Sequence, residues 1–472
     1  MKRTTWKRII GLVLALSMVF VLCSCGGSSS APAPAAASSA KSEAAAPAAE
    51  AKSEAAPAAE ASSAKSEAAP AEEAKSEAAP AAAESSAAPE AAEDSGSEFD
   101  ITKVDTSDWE KLDLSYATYL TADNPIGKLC TDAWQTKLDE LMPGWVTITI
   151  YPSGTLLGQA DIFEGVEQGI ADLGMVDVSS VKELLPTCAL WALPGTHASS
   201  TTAGSAAMNE WVNMVAEDLP ELENVVVLHA QGNQAGQMVT AFQWDSIDQL
   251  KGKQLRATAA FADIVTALGA TPVSVATSEL YEASRSGLID GAYYTITANY
   301  LQGSNEFLKY GTFTNMCTSP YLYIMNRDKL ESLPETEQAF LKEAFAEAFW
   351  ELVLPHLPDV GDIHEATQRA IESGDYIVYE LPEETLNDLW ETCGPITDKY
   401  IEENSSVPNL KENYDLLVKL TEKWNEWYPM ERYVQPFMLS AEKGFDYVLE
   451  HIDEFAIDPL PEIYGYVPLD KR

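Results

Sequence analysis

Three features of the sequence predict an α/β fold of two lobes facing each other across a cleft. The first is a β-α-β-α-β run between Leu250 and Tyr294. Gln254 to Thr258 can form a strand and Phe261 to Leu268 an amphipathic helix that Gly269 ends in left-handed geometry. Pro272 to Ala276 gives a second strand, Ser278 opens and Gly287 closes a second helix, and a strand begins near Asp290. The second feature is the same order upstream: Leu114 to Tyr119 as strand, Pro125 to Leu141 as helix, Val146 to Tyr151 as strand, and Gln159 to Gln168 as a helix closed by Gly169. Gly169-Ile170-Ala171-Asp172-Leu173-Gly174 matches Gly287-Leu288-Ile289-Asp290-Gly291-Ala292 in spacing and type, so a helix end and strand start are used twice in the same way. The third is Arg256, isolated in a nearly uncharged apolar stretch. Ligand crevices in such units lie beyond the carboxyl ends of the strands, where Arg256, Tyr293, Tyr294 and, from the first lobe, Asp177 would sit.

The chain opens differently. Lys2, Arg3, Lys7 and Arg8 precede an apolar run from Ile9 to Leu22, shorter than the roughly 20 residues a membrane helix needs. Residues 1–24 therefore read as a signal peptide. Leu22-Cys23-Ser24-Cys25-Gly26 resembles a bacterial lipobox, which makes Cys25 the expected lipid attachment site and mature N-terminus. Acyl chains contribute about 0.8 kcal/mol per buried CH2, so several on one residue would hold the protein at the membrane. Residues 25–105 carry near-repeats of the type KSEAAPAAE, built from Ala, Pro, Ser, Glu and Lys. With so little apolar bulk this stretch cannot offset its conformational entropy and is expected to be a disordered tether. A coil of that length would reach on the order of 50 Å.

The two-lobed domain is expected over 106–412, with lobe I at about 112–233 and 320–360 and lobe II at about 234–319. Helical apolar spacing marks Glu335 to Leu354, Pro382 to Ile401 and Tyr414 to Trp427. Residues 413–472 form a C-terminal helical extension whose Trp424, Trp427, Tyr428, Phe437 and Phe445 read as core that covers the lobes rather than as a cofactor site. A net charge of −43 argues against nucleic-acid binding and against electrostatic docking on anionic lipid. Cys130, Cys188, Cys317 and Cys393 are widely spaced without a C-x-x-C, which disfavours zinc and leaves a disulfide possible but unassignable.

Several runs together resemble the solute-binding subunits of tripartite ATP-independent periplasmic (TRAP) transporters, DctP type. These are Tyr151-Pro152-Ser153-Gly154 with Leu157-Gly158-Gln159, the Ala192-Leu193-Pro194 turn, Leu250 to Arg256, Glu279-Leu280-Tyr281, Gly287 to Gly291, and Tyr321 to Leu333 followed by Pro334. The resemblance implies a periplasmic-binding-protein-like, Venus-flytrap fold braced by a long helix. It implies capture of an organic acid, delivery to integral membrane subunits driven by an ion gradient, and no cofactor or metal. Arg256 matches the arginine with which this family grips a ligand carboxylate, as a planar fork suited to bidentate pairing. Tyr294 stands where many members have asparagine, Thr277 where an aromatic is frequent, Asp177 where some place an acid, and Thr118 on the first strand. Some dicarboxylate or sialic-acid binders carry another arginine about twenty positions before the gripping one; this chain has Gly236 there. One gripping cation and a tyrosine pair suggest a monocarboxylate with an apolar or aromatic body, although either tyrosine could equally be core.

Enzyme motifs are missing: the sequence has no G-x-S-x-G, H-E-x-x-H, P-loop or G-x-G-x-x-G, and its five histidines show no i, i+4 pairing. A binding lipoprotein of an ATP-driven importer is the second reading, and an extracellular hydrolase with two facing carboxylates the third.

Overall fold

The computed structural model describes residues 105–428 and 430–452. The expected signal peptide, Cys25 and nearly all of the tether lie outside the described residues, as do residues 453–472 of the C-terminal extension.

In the first half, β1 (Leu112–Ala117), α1 (Pro125–Leu141), β2 (Val146–Tyr151), α2 (Ile162–Glu167) and β3 (Leu173–Asp177) follow the expected order. α3 (Thr201–Val215) then leads into the long strand β4 (Val225–Thr240). The second unit comprises β5 (Gln254–Arg256), α4 (Ala262–Ala267), β6 (Thr271–Val273), α5 (Leu280–Ser286) and β7 (Gly291–Tyr293). α6 (Ile296–Leu301) precedes a second long strand, β8 (Tyr310–Asn326), which the short α7 (Arg327–Glu331) follows. The strands join in the order β2-β1-β3-β8-β4-β7-β5-β6, with β9 (Ile377–Tyr379) parallel to the start of β8.

Among the described strands, β4 and β8 are the two that belong to both lobes. Their antiparallel pairing runs from Val225↔Asn326 to Thr240↔Tyr310. At one end β3 joins β8 and carries parallel β1 and β2; at the other, β7 joins β4 and carries parallel β5 and β6. Register breaks between Gly232, Ala235 and Gln237 fall between these two ends, where an irregular ladder bends the strands and passes them from one lobe to the other. One large apolar cluster runs through lobe I and takes in Val275, Leu280, Ala283 and Ile289 of lobe II, and a second cluster is centred on lobe II. The second cluster is built from Leu250, Leu255, Phe261, Ile264, Val265 and Leu268 with neighbours from β7, β8 and later helices. Gly204 of α3 lies against Gly232 of β4 so closely that a Cβ at 232 would fall 2.7 Å from the Gly204 carbonyl carbon. Glycine at 232 is thus what lets this helix press onto the strand.

Gly169, Gly269 and Gly287 take the left-handed conformation the sequence predicts, with φ of 71°, 75° and 72°. Other boundaries shift. α2 begins at Ile162, three residues later than expected, because Gln159 belongs to the preceding turn and its side chain is committed elsewhere. Ser278 is no cap: Thr277–Glu279 form a short 3-10 turn and α5 opens at Leu280. The expected helix Pro382 to Ile401 is divided into α10 (Glu383–Cys393) and α11 (Pro395–Glu403), since Pro395 cannot donate the next backbone hydrogen bond. The four cysteines of the domain are free and buried, so the disulfide left open above does not form among them.

The long helix is more extended than its periodicity indicates. α8 (Glu335–Glu347) continues through π-type turns at Ala348–Val353 and Pro358–Asp362, with a 3-10 turn at Leu354–His356 between them. Pro355 and Pro358 remove backbone donors that a regular α-helix would require, and a 3-10 turn at the first and a π-type turn at the second accommodate them. Near its far end the Gly361 carbonyl accepts from Thr297 Oγ1 of α6 at 3.0 Å, so one helical stretch reaches from the wall of lobe I to the cleft. α9 (Glu365–Glu372) follows. Beyond it α12 (Leu410–Trp427) lies on α3, where Trp211 Nε1 donates to the Asn413 carbonyl at 3.0 Å and Glu210 accepts from Lys423 Nζ and Trp424 Nε1 at 2.8 and 2.7 Å. Trp424, Tyr428, Phe437 and Phe445 are buried, as expected of core, the last two in α13 (Met430–Lys443) and α14 (Phe445–Glu450).

Candidate functional site

β5 ends on Arg256, β7 on Tyr293 and β3 on Asp177, so parallel strands from both lobes deliver these side chains to one cleft. The cleft has an empty volume of about 770 Å3, part of it open to solvent, and Arg256, Thr277, Tyr293, Tyr294 and Asp177 all line it. Thr118 does not: it falls just past β1, its hydroxyl accepting from the Leu120 N–H at 3.2 Å and lying 3.8 Å from Met175 Sδ.

Arg256 is only 2% exposed. Its Nε donates to the Val275 carbonyl at 3.0 Å and one Nη2 hydrogen to Thr277 Oγ1 at 3.2 Å, and the guanidinium sits 5.2 Å from the centre of the Tyr294 ring. These contacts fix the plane of the fork. A guanidinium carries five N–H groups, and those on Nη1 have no acceptor among the described residues. No carboxylate forms an ion pair with Arg256 among the described residues either. Burying a cation without a counter-charge costs several kcal/mol, a cost that an anion entering the cleft would offset.

Asp177 faces the same cleft but is spoken for. Its Oδ1 accepts from the Ser179 N–H at 3.1 Å and Ser179 Oγ at 2.5 Å, while Oδ2 accepts from Gln159 Nε2 at 2.7 Å and Ser180 Oγ at 2.9 Å. Its charge is thus absorbed within lobe I. Tyr293, the last residue of β7, and Tyr294, just past it, divide their work. Tyr293, 3% exposed, turns its hydroxyl into the lobe II core, 3.2 Å from Thr314 Oγ1 and 3.3 Å from Cys317 Sγ, and contributes ring surface to the cleft. Tyr294 presents its face to Arg256; burial pushes its hydroxyl pKa up, against the lowering pull of that cation.

Residues the sequence reading passed over complete the wall. Tyr119 and Tyr321 come from lobe I, with Asn233 Nδ2 donating to the Tyr321 hydroxyl at 3.5 Å, and Phe261 supplies apolar surface from lobe II. Burial pushes the pKa of Tyr119 and of Tyr321 upward, so both hydroxyls stay protonated and able to donate at neutral pH. The lining is therefore aromatic, with hydroxyl donors and one unpaired cation.

Comparison with known proteins identifies the family and the fold. The family described as DctP, bacterial extracellular solute-binding protein, family 7, matches residues 116–404. A solute-binding protein of Chromohalobacter salexigens is 20% identical over 318 residues, 66% of this chain and 89% of its own length. Among solved structures, a marine-metagenome TRAP solute-binding protein specific for aromatic acid ligands, in complex with metahydroxyphenylacetate, superposes with a TM-score of 0.60 at 20% identity, covering 67% of this chain and 100% of that one. Another from a marine metagenome, specific for pyroglutamate, gives a TM-score of 0.58 at 18% identity over 66% of this chain and 99% of that one. The family match spans well over half of the chain, and this protein belongs to the solute-binding subunits of TRAP transporters, DctP type.

Proposed function

We propose that this protein captures an organic acid carrying one carboxylate on an apolar or aromatic body and delivers it to TRAP membrane subunits for uptake driven by an ion gradient. The observation that carries the reading is Arg256: a guanidinium held in plane, 2% exposed and without an anionic partner among the described residues, facing an aromatic cleft. A ligand carboxylate would supply the missing charge and take the free Nη hydrogens in a bidentate pair. The aromatic lining supports a flat or cyclic body, and the absence of a second cation from the lining supports a single carboxylate. The acids bound by the two neighbouring structures, metahydroxyphenylacetate and pyroglutamate, are both compact monocarboxylates.

The family is one of receptors, not enzymes, and Asp177, the carboxylate that lines the cleft among the described residues, is occupied by four hydrogen bonds. We further propose that Cys25 carries the lipid anchor and that residues 25–105 tether the domain to the extracytoplasmic face of the membrane. Native mass spectrometry of freshly purified protein, followed by denaturing release of whatever co-purifies, tests the ligand class. A released monocarboxylic acid supports the reading; a released peptide, metal ion or neutral sugar would replace it.

A further inference from the structure

Gln159 stands where the lobes meet and uses every polar atom of its side chain. Its Nε2 donates to Asp177 Oδ2 at 2.7 Å and to Ser180 Oγ at 3.2 Å, both in lobe I. Its Oε1 accepts the backbone N–H of Thr277 in lobe II at 3.2 Å. The amide orientation is fixed by its neighbours, since a carboxylate only accepts and a backbone N–H only donates. Thr277 in turn receives the Arg256 Nη2 hydrogen, so an unbroken chain of hydrogen bonds runs from Asp177 through Gln159 and Thr277 to the guanidinium.

A second, more open cavity of about 1140 Å3 lies beside the first, lined by Gln159, Ser180, Arg256, Thr258 and Ala276 among others. Arg256 and Thr258 line both cavities. Between the two run the Gln159–Thr277 bond and a second bond across the cleft, from Thr258 Oγ1 to Ser179 Oγ at 2.9 Å. An exposed ion pair, Lys182 to Asp263 at 2.9 Å, spans the same gap farther out. The outer cavity is thus the vestibule of the inner one, and the amide of Gln159 is the bar across it.

We propose that Gln159 is the positioning residue that holds the cleft shut and sets the Arg256 fork from the opposite lobe, with Asp177 serving to aim Gln159 rather than to touch ligand. This rests on the reading of the cleft as an acid-binding site. Breaking the Gln159–Thr277 bond frees Thr277 and joins the vestibule to the pocket, so the barrier it sets opposes escape of a bound acid.

The test uses the full chain purified in detergent, with 3-hydroxyphenylacetate and pyroglutamate as probes. Gln159→Ala should release a bound probe on the order of ten times faster, with an association rate within about threefold of wild type and an unchanged melting temperature without ligand. Gln159→Glu keeps the length and the acceptor but sets a second carboxylate against Asp177, and should release the probe at least as fast. Lys182→Ala, which removes only the exposed pair, should stay within twofold. Spin labels on Asp132→Cys and Lys251→Cys, one per lobe, should report a longer interlobe distance for Gln159→Ala than for the parent without any acid present. If both the dissociation rate and the distance match wild type, Gln159 is not the bar. If neither probe binds wild type, the choice of acid falls, and the interlobe distance alone decides the role of Gln159.

Discussion

A Cβ placed on Gly236 would fall 1.8 Å from the hydroxyl oxygen of Tyr293, so these two residues share one space across the β4–β7 pair. The relation gives a physical reason for the glycine at 236, one departure from the pattern the resemblance implies. Position 236 carries no side chain, and the phenol of Tyr293 fills the room that one would take. Gly236→Ala should therefore destabilise the fold by roughly 2–4 kcal/mol through overpacking. Tyr293→Phe in the same chain should restore only part of it, because the ring carbon bearing the hydroxyl would still lie 2.7 Å from the new methyl group. Denaturant unfolding of the two single variants and the double variant measures the coupling.

Glu347 predicts a pH dependence on the long helix. It is nearly buried, 3.6 Å from Lys137, which also meets Glu351 at 2.6 Å and Glu140 at 3.5 Å. Burial pushes its pKa from 4.5 up to about 7, more than Lys137 pulls it down, with Glu351 and Glu343 adding to the rise. Burial opposes the charge of Lys137 as well, yet the surrounding carboxylates, Glu351 foremost, hold its pKa above the ordinary lysine value. For an acid raised on folding, the stabilising protonated form is fully present below pH 4.5 and is lost as pH rises through about 7. Glu347→Gln should remove that decline, which melting curves from pH 4.5 to 8 would show as a flatter profile than wild type.

His229 predicts the opposite slope. It is stacked between Tyr323 at 4.1 Å and Phe349 at 5.1 Å, and neither ring nitrogen has a hydrogen-bond partner among the described residues. Burial lowers its pKa from 6.5 to about 3. Its contribution is therefore present above pH 6.5 and is lost as pH falls from there toward about 3, as the unfolded chain takes up a proton the folded one refuses. His229→Phe should lessen the loss of stability between pH 6.5 and 4.5 relative to wild type, whatever its effect at pH 8.

Cys25→Ser should move the protein from the membrane fraction to the soluble extracytoplasmic fraction, since the apolar run Ile9 to Leu22 is removed or too short to hold it. Retention in the membrane at the wild-type level would contradict the lipid-anchor proposal.

The parts of this protein legible in its sequence are those with local causes. Glycines at 169, 269 and 287 announce left-handed turns because few other residues tolerate them, and Arg256 stands out because almost nothing around it is charged. Gln159 and Ser179 gave no such signal: each acquires its role from a partner in the other lobe, which no spacing along the chain reveals. Thr118 was misplaced by a single step past the end of β1, enough to turn it from the cleft into a turn. The long helix outruns its apolar spacing, because Pro355 and Pro358 ordinarily end helices whereas here π and 3-10 turns carry the chain through them.

The central claim is that Arg256 exists to receive a carboxylate, and one calorimetric comparison tests it. Let the acid released from purified wild-type protein, and its uncharged amide, be titrated into wild type, Arg256→Lys and Arg256→Ala. Loss of the fork should weaken binding of the acid by about two to four decades, on the order of 3–5 kcal/mol. Lysine should fall between, keeping the charge without the bidentate geometry, and the amide should bind wild type far more weakly than the acid. If Arg256→Ala binds the acid within threefold of wild type, or the amide binds wild type as tightly as the acid, Arg256 is not the carboxylate clamp and the organic-acid reading is contradicted.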